Sequence, residues 1–190
     1  MTKENIIVLP NKKLRQNSKK ITVIDQKIDH IIDLMKNATL DWDNSRQHEV
    51  GVALAAVQIN QLYRIIIVRE NFDEKDNKNF KVFINPKIVK LSGDLLEDYE
   101  GCLSVPEIYG KVLRYDHVKV KALNENAQEI MINASGFLAR VFQHEIDHTN
   151  GKLFIDHIKD QPNAFYRLNS QGDLIKLNYN QDVKKNSILW

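Results

Sequence analysis

Apolar residues recur along this chain with two different periods, and each period marks a kind of element. Ile28, Ile31, Ile32 and Met35 fall on one stripe of a helix expected over residues 25 to about 36, with Asp25 as its cap. Residues 39–49, TLDWDNSRQHE, are polar and read as a loop. Residues 63–70, YRIIIVRE, read as a strand in which Ile65, Ile66, Ile67 and Val68 run together, the mark of burial on both faces. Residues 71–79 form a charged surface loop. KVFINP then resumes a strand that ends at Pro86, where ladder pairing is hard to continue.

Val118, Val120 and Ala122 alternate with lysines, which predicts a half-exposed strand. NENA at 124–127 turns, and QEIMIN at 128–133 returns as its hairpin partner. The helical period reappears from about Ser135 to Thr149, with Asn150-Gly151 as its stop. GDLIKLNY, residues 172–179, reads as one more strand. The pattern predicts an α+β fold, mostly antiparallel β-sheet around one central helix.

At 190 residues the chain is long enough for one domain that buries most of its apolar surface. No repeat or low-complexity linker divides it. Residues 1–190 are therefore expected to form a single domain, with 161–190 strand-like or irregular. The net charge is only +2 and no long Lys/Arg run is present, which argues against a nucleic-acid-binding face. Cys102 is the single cysteine, so no internal disulfide can form, as suits a reducing compartment. The N-terminus has no signal-peptide or transit-peptide character. No stretch approaches the roughly 20 apolar residues of a membrane span. The expectation is a cytoplasmic monomer.

The chemistry concentrates in QHEIDH. On a helix, His144 and His148 share one face and can present two imidazoles to one metal ion. Glu145 lies about 100° around the helix from His144, within reach of a metal-bound water. That is the mechanical sense of H-E-x-x-H, two ligands and one general base. Two ordinary surface histidines would show the same letters. However, Phe137, Val141, His144 and His148 continue one stripe at spacings of 4, 3 and 4. Imidazoles at the end of a packed stripe need partners, and a metal supplies them.

A catalytic site takes three protein ligands and keeps one position open. His157 and several acids lie downstream, none at a compelling spacing. Cys102 is the other candidate. A lone cysteine is usually a small buried hydrophobe, but Glu100-Gly101 before it and Ser104-Val105-Pro106 after it suggest a constrained extended turn. A Cys–His nucleophile pair is a further option, which leaves Glu145 and His148 without roles.

Together these residues resemble the peptide deformylases. GVALAAVQ, from Gly51 to Gln58, is similar to the family's G-x-G-L-A-A-x-Q. EGCLS, from Glu100 to Ser104, and QHEIDH, from Gln143 to His148, match its second and third motifs. The resemblance extends over roughly residues 5 to 160. It implies a metallohydrolase acting on linear amides. The substrate would be the formyl-methionine at the N-terminus of newly made proteins, and formate the product. Cys102, His144 and His148 would hold Fe²⁺, with Zn²⁺, Ni²⁺ or Co²⁺ able to substitute. The ion would activate water, with Glu145 as general base and then acid. The side-chain amide of Gln58 and the backbone N–H of Leu103 would steady the oxyanion. Gly51, Val52 and Ala53 would offer main-chain hydrogen bonds to the peptide, and Gly101 would allow its close approach. Phe137 and Val141 would line the methionine pocket, with Arg140 at its rim.

The chain also departs from the pattern. Ala53 stands at the family's second glycine, Asn60 where glycine is common, Thr149 in place of leucine, and Tyr109 where some members carry arginine. A positive φ at Ala53 would cost on the order of 1 kcal/mol. No C-terminal docking helix is evident, so contact with the ribosome is expected to be transient. Two other readings stay open. One is an H-E-x-x-H metalloprotease cutting internal peptide bonds, and the other is a weakly active or non-catalytic metal-binding homologue.

Overall fold

The computed structural model describes residues 6–45, 49–72 and 77–185. The first apolar stripe forms α1 (Gln26–Asp43), and the Asp25 carboxylate caps it by accepting the Ile28 N–H. Ile28, Ile31, Ile32 and Met35 are all buried; such side chains contribute on the order of 1.5–3 kcal/mol each. The helix outruns its expected end. Thr39 is fully buried and returns its hydroxyl to the Met35 carbonyl at 2.9 Å, while Leu40 and Trp42 pack on the same core. Residues 39–43 are therefore helix rather than loop, and 46–48 lie outside the described residues.

The apolar run forms β2 (Ile65–Arg69), buried at every position as its composition predicts. It pairs antiparallel with β1 (Ala53–Ala55) on one side and β3 (Phe80–Cys102) on the other. β3 does not stop at Pro86. A register shift between Ile84 and Lys87 absorbs the proline. Asn85 takes φ 53 there, and its side-chain amide clasps both main-chain groups of Ile21 at 2.9 and 2.8 Å. Of the charged loop at 71–79, residues 73–76 lie outside the described ones.

β4 (Val105–Leu123) pairs with β3 up to Cys102↔Val105. Leu103 and Ser104 thus form a two-residue turn, and Cys102 ends a strand instead of sitting in a longer extended turn. β5 (Glu129–Ser135) returns on β4 as expected, from Leu123↔Glu129 to His117↔Ser135. α2 (Gly136–Thr149) follows, and its Phe142 meets Phe83 of the sheet edge-on at 5.0 Å. Gly151 takes φ +70 beyond the helix, where an added Cβ would lie 2.6 Å from the Arg15 carbonyl oxygen.

After α3 (Phe154–Ile158) the expected single strand is instead a hairpin, β6 (Phe165–Leu168) with β7 (Leu174–Lys176). β6 joins β4 through Ile108↔Arg167, Tyr109↔Tyr166 and Gly110↔Phe165. One π-helical turn, Tyr179–Lys184, ends the described chain. The strand order is β1-β2-β3-β4-β6-β7 with β5 also on β4, antiparallel throughout, so the α+β expectation holds. Among the described residues, no helix is long and apolar enough to cross a membrane.

Candidate metal centre and active site

The β3–β4 turn and the C-terminal half of α2 bring the motif residues together. The donor atoms of Cys102, His144 and His148 all lie within 4.8 Å of one another. Cys102 Sγ is 3.3 Å from His148 Nε2, and the two imidazole rings sit edge-on at 5.0 Å. The three donors are close enough to share one ion, and one thiolate with two imidazoles suits a borderline-soft transition ion. His157, the downstream alternative, lies apart from this cluster and bonds Asp147 at 2.7 Å.

Behind the cluster lies a buried charge network that local sequence patterns do not reveal. Glu100 is 5% exposed. Its Oε1 accepts from Arg114 Nε and Arg140 Nη1, both at 2.9 Å. Its Oε2 meets Arg114 Nη2 at 3.1 Å and His144 Nδ1 at 2.9 Å. Burial works to raise the Glu100 carboxyl, but its bonds to His144 and Arg114 outweigh that and hold it well below the ordinary carboxylate range. With Nδ1 engaged by Glu100, Nε2 is the His144 nitrogen left for a metal, the arrangement a metal-binding imidazole needs.

Burial alone would also lower His144, yet Cys102 and Glu100 beside it push the imidazole well above its usual value. At His148 burial comes first and the neighbouring His144 adds to it, so its imidazole falls well below. Burial raises the Glu145 carboxyl to about 7. Its Oε2 is buried with no hydrogen-bond partner among the described residues, although the residue lines the cavity. A cation and its water at the cluster would satisfy that oxygen, so the residues present fit a metal ion.

Cys102, His144, Glu145 and Glu100 border a cavity of about 390 Å³. Gln58, 1% exposed, sits on its wall with its amide nitrogen 3.2 Å from Ser104 Oγ and 3.6 Å from Cys102 Sγ. Its oxygen accepts the Ala55 N–H at 2.8 Å, which fixes which end faces the sulfur. Leu103, Gly101, Phe137 and Val141 line the same cavity, Phe137 half-exposed and Val141 buried. Arg140 reaches the cavity too, but it is not a rim residue. It is 6% exposed, and besides Glu100 it donates to the carbonyls of Leu96 and Val112 at 2.7 and 2.8 Å.

The sequence matches the polypeptide deformylase family over residues 3–164. This chain belongs to that family. It is 41% identical to the peptide deformylase of Thermomicrobium roseum, over 87% of this chain and 92% of that protein. It is 44% identical to that of Halothermothrix orenii, over 76% of this chain and 86% of the other. The fold is similar to the peptide deformylase of Synechococcus elongatus solved with actinonin, with TM-score 0.74, 34% identity, and coverage of 82% of this chain and 80% of that one. The Legionella pneumophila enzyme aligns with TM-score 0.70 and 38% identity, covering 80% and 83%.

Within this deformylase the first motif shows a division of labour. The Gly51 N–H donates to Asp43 at 2.5 Å and its carbonyl accepts from Arg69 Nε at 3.0 Å, so its main chain is tied down rather than offered to a peptide. An added Cβ at Gly51 would stand 2.7 Å from Thr39 Cγ2, so close packing on α1 explains the glycine. The Val52 carbonyl accepts the Arg69 N–H at 2.7 Å. Alternation along an antiparallel ladder then turns the N–H and C=O of Ala53 toward the open edge. The Asp43–Arg69 ion pair that locks this segment escaped the sequence pattern, because each residue looks like surface charge in its own stretch.

The departures resolve individually. Ala53 lies in β1 outside the positive-φ positions, and its methyl joins the core beside Ala55 and Val57, so no strain arises. Asn60 does need the left-handed region, at φ 65, which asparagine tolerates better than most residues. Thr149 is fully buried and bonds the Ile146 carbonyl at 2.8 Å, where a hydroxyl replaces an apolar contact. Tyr109 covers Gly101 with its ring and donates its hydroxyl to Glu49.

Proposed function

We propose that this cavity removes the formyl group from N-terminal formyl-methionine, with Cys102, His144 and His148 holding Fe²⁺ or, in its place, Zn²⁺, Ni²⁺ or Co²⁺. The observation that carries the reading is the convergence of those three donors, with Cys102, His144 and Glu145 on one cavity and a buried Glu145 oxygen that has no hydrogen-bond partner among the described residues. When bound, such an ion supplies a Lewis acid that makes hydroxide available near neutral pH. Glu145 accepts the proton released from water and returns it to the departing amine. A carboxyl held near neutrality by burial suits both directions of transfer.

Gln58 and the Leu103 N–H donate to the oxygen that gains charge. Their value lies in being fixed before the reaction, Gln58 by Ala55 and Ser104 and Leu103 by its two-residue turn. Ala53 aligns the peptide backbone as an added strand would, with Gly101 facing it across the cavity. Phe137 and Val141 receive the methionine side chain, and Arg140 stiffens the wall behind them through Glu100. The setting is the cytoplasm, on nascent chains, with the protein as a monomer and any ribosome contact transient.

The test is formate release from formyl-methionyl peptides by metal-loaded protein and by Glu145→Gln. That variant should keep the metal and lose roughly 10²–10⁴-fold in rate. Equal rates would remove Glu145 from the mechanism. Actinonin, seen bound to the Synechococcus elongatus relative, should stabilise the metal-loaded protein against heat far more than the chelated one.

A further inference from the structure

The cavity extends beyond the part of the chain that matches the family. Leu168, Gly172 and Leu174 line it together with Cys102, His144 and Glu145. These first three follow residue 164, where the family match ends. All belong to the β6–β7 hairpin or its turn.

Strand register shows how the hairpin faces the cavity. Tyr109 pairs with Tyr166 and Leu168 with Leu174. Side chains alternate along a strand, so Tyr109, Tyr166, Leu168 and Leu174 share one face of the sheet. Across β3, the Gly101↔Tyr109 and Tyr99↔Lys111 pairs bring Tyr99 onto that face. The Tyr99 and Tyr166 rings meet edge-on at 5.0 Å, and Lys111 Nζ lies 5.2 and 6.0 Å from their centres.

The hairpin is anchored from behind. Phe165 on its opposite face is fully buried in a core that includes Val183 of the terminal turn. The Leu177 N–H also donates to the Phe165 carbonyl at 2.9 Å. Leu168 and Leu174 remain half-buried with their open sides toward the cavity. An extended peptide advances about 3.3 Å per residue, so one that runs from the Cys102 cluster along this cavity toward Leu168 and Leu174 meets the wall within a few residues.

We propose that the β6–β7 hairpin is a downstream specificity wall, with Leu168, Leu174 and Tyr99 selecting apolar side chains at the second and third substrate positions. The proposal rests on the formyl-methionine reading of the cavity. A lysine at those positions meets apolar surface and is disfavoured, while Lys111 is already paired with Glu97 at 3.7 Å.

The experiment compares kcat/KM for formyl-Met-Ala, formyl-Met-Leu-Leu and formyl-Met-Lys-Lys in the metal-loaded wild type, Leu174→Ala and Leu168→Ala/Leu174→Ala. The wild type should favour the leucine peptide over the lysine peptide by about tenfold, the low end of what one methylene in an apolar pocket contributes. The double variant should bring that ratio within about twofold, chiefly through KM, with the single variant between. A wild type without preference, or variants that keep the full ratio while losing rate on every peptide, would overturn the proposal. If formyl-Met-Ala also released no formate in the wild type, the underlying functional reading would be the one to fail.

Discussion

Replacing Glu100 should damage two properties that can be measured separately. Its carboxylate balances two guanidiniums, those of Arg114 and Arg140, each of whose residues is 6% exposed. Arg114 keeps Asp147 at 2.6 Å when the carboxylate goes, but Arg140 is left with carbonyl partners. Breaking a buried charge network by removing one member costs about 3–5 kcal/mol. In a chain of this size each kcal/mol moves the melting temperature by about 2–4 °C, so Glu100→Ala should melt roughly 6–20 °C lower. The second loss is at His144, whose Nδ1 no longer has its carboxylate at 2.9 Å. Losing such an outer partner typically weakens metal binding 10–100-fold. Glu100→Gln keeps the shape but turns an amide N–H toward donors, and should show much of both effects. Thermal unfolding of the chelated protein isolates the charge network, and a competitive metal titration isolates the ligand effect. A chelated Glu100→Ala that melts within about 2 °C of wild type and binds metal equally would refute the reasoning.

Three further outcomes follow from the same geometry. Gln58→Ala should lower kcat about 10²–10³-fold with little change in KM for formyl-methionyl peptides, as loss of one oxyanion donor does. Gly51→Ala places a methyl 2.7 Å from Thr39 Cγ2 and displaces the segment held by Asp43 and Arg69, so it should cost about 1–3 kcal/mol in denaturant unfolding and raise KM. Asn60→Gly should be neutral or slightly stabilising by the same assay, whereas Asn60→Val at φ 65 should cost more than about 1 kcal/mol.

Much of the site was legible because its residues are local and chemically distinctive. Two histidines and a glutamate on neighbouring helical positions point to metal chemistry, and Cys102 is the third candidate through its own turn-like stretch and a second motif. What stayed hidden depends on non-local convergence. Nothing near Glu100 in sequence shows that Arg114, 14 residues on, and Arg140, 40 residues on, arrive at the same oxygen. Gly51 stands in the first motif like a peptide contact, whereas its main chain is spent on α1 and β2.

The fold divides along the same line. Strands buried on both faces, such as β2, declare themselves in composition. The part of β3 beyond Pro86 is largely solvent-exposed and begins at a bulge, so its alternation is weak and the strand pattern stops at the proline. Residues 39–43 looked like a loop because Asp41 and Asp43 are polar, yet Thr39, Leu40 and Trp42 carry the helix onto the core. The β6–β7 hairpin is short and stabilised mainly by docking on β4 and by Phe165, so tertiary packing decides it more than local preference.

The central claim is that Cys102, His144 and His148 hold an ion that serves deformylation. Metal content and formate release, measured on one anaerobically purified sample before and after chelation, test it directly. The account predicts about one transition-metal ion per chain, formate released from formyl-methionyl peptides, and loss of both on chelation with recovery on adding Fe²⁺. Full metal occupancy with no formate from any formyl peptide, or formate release undiminished by metal removal, would contradict it.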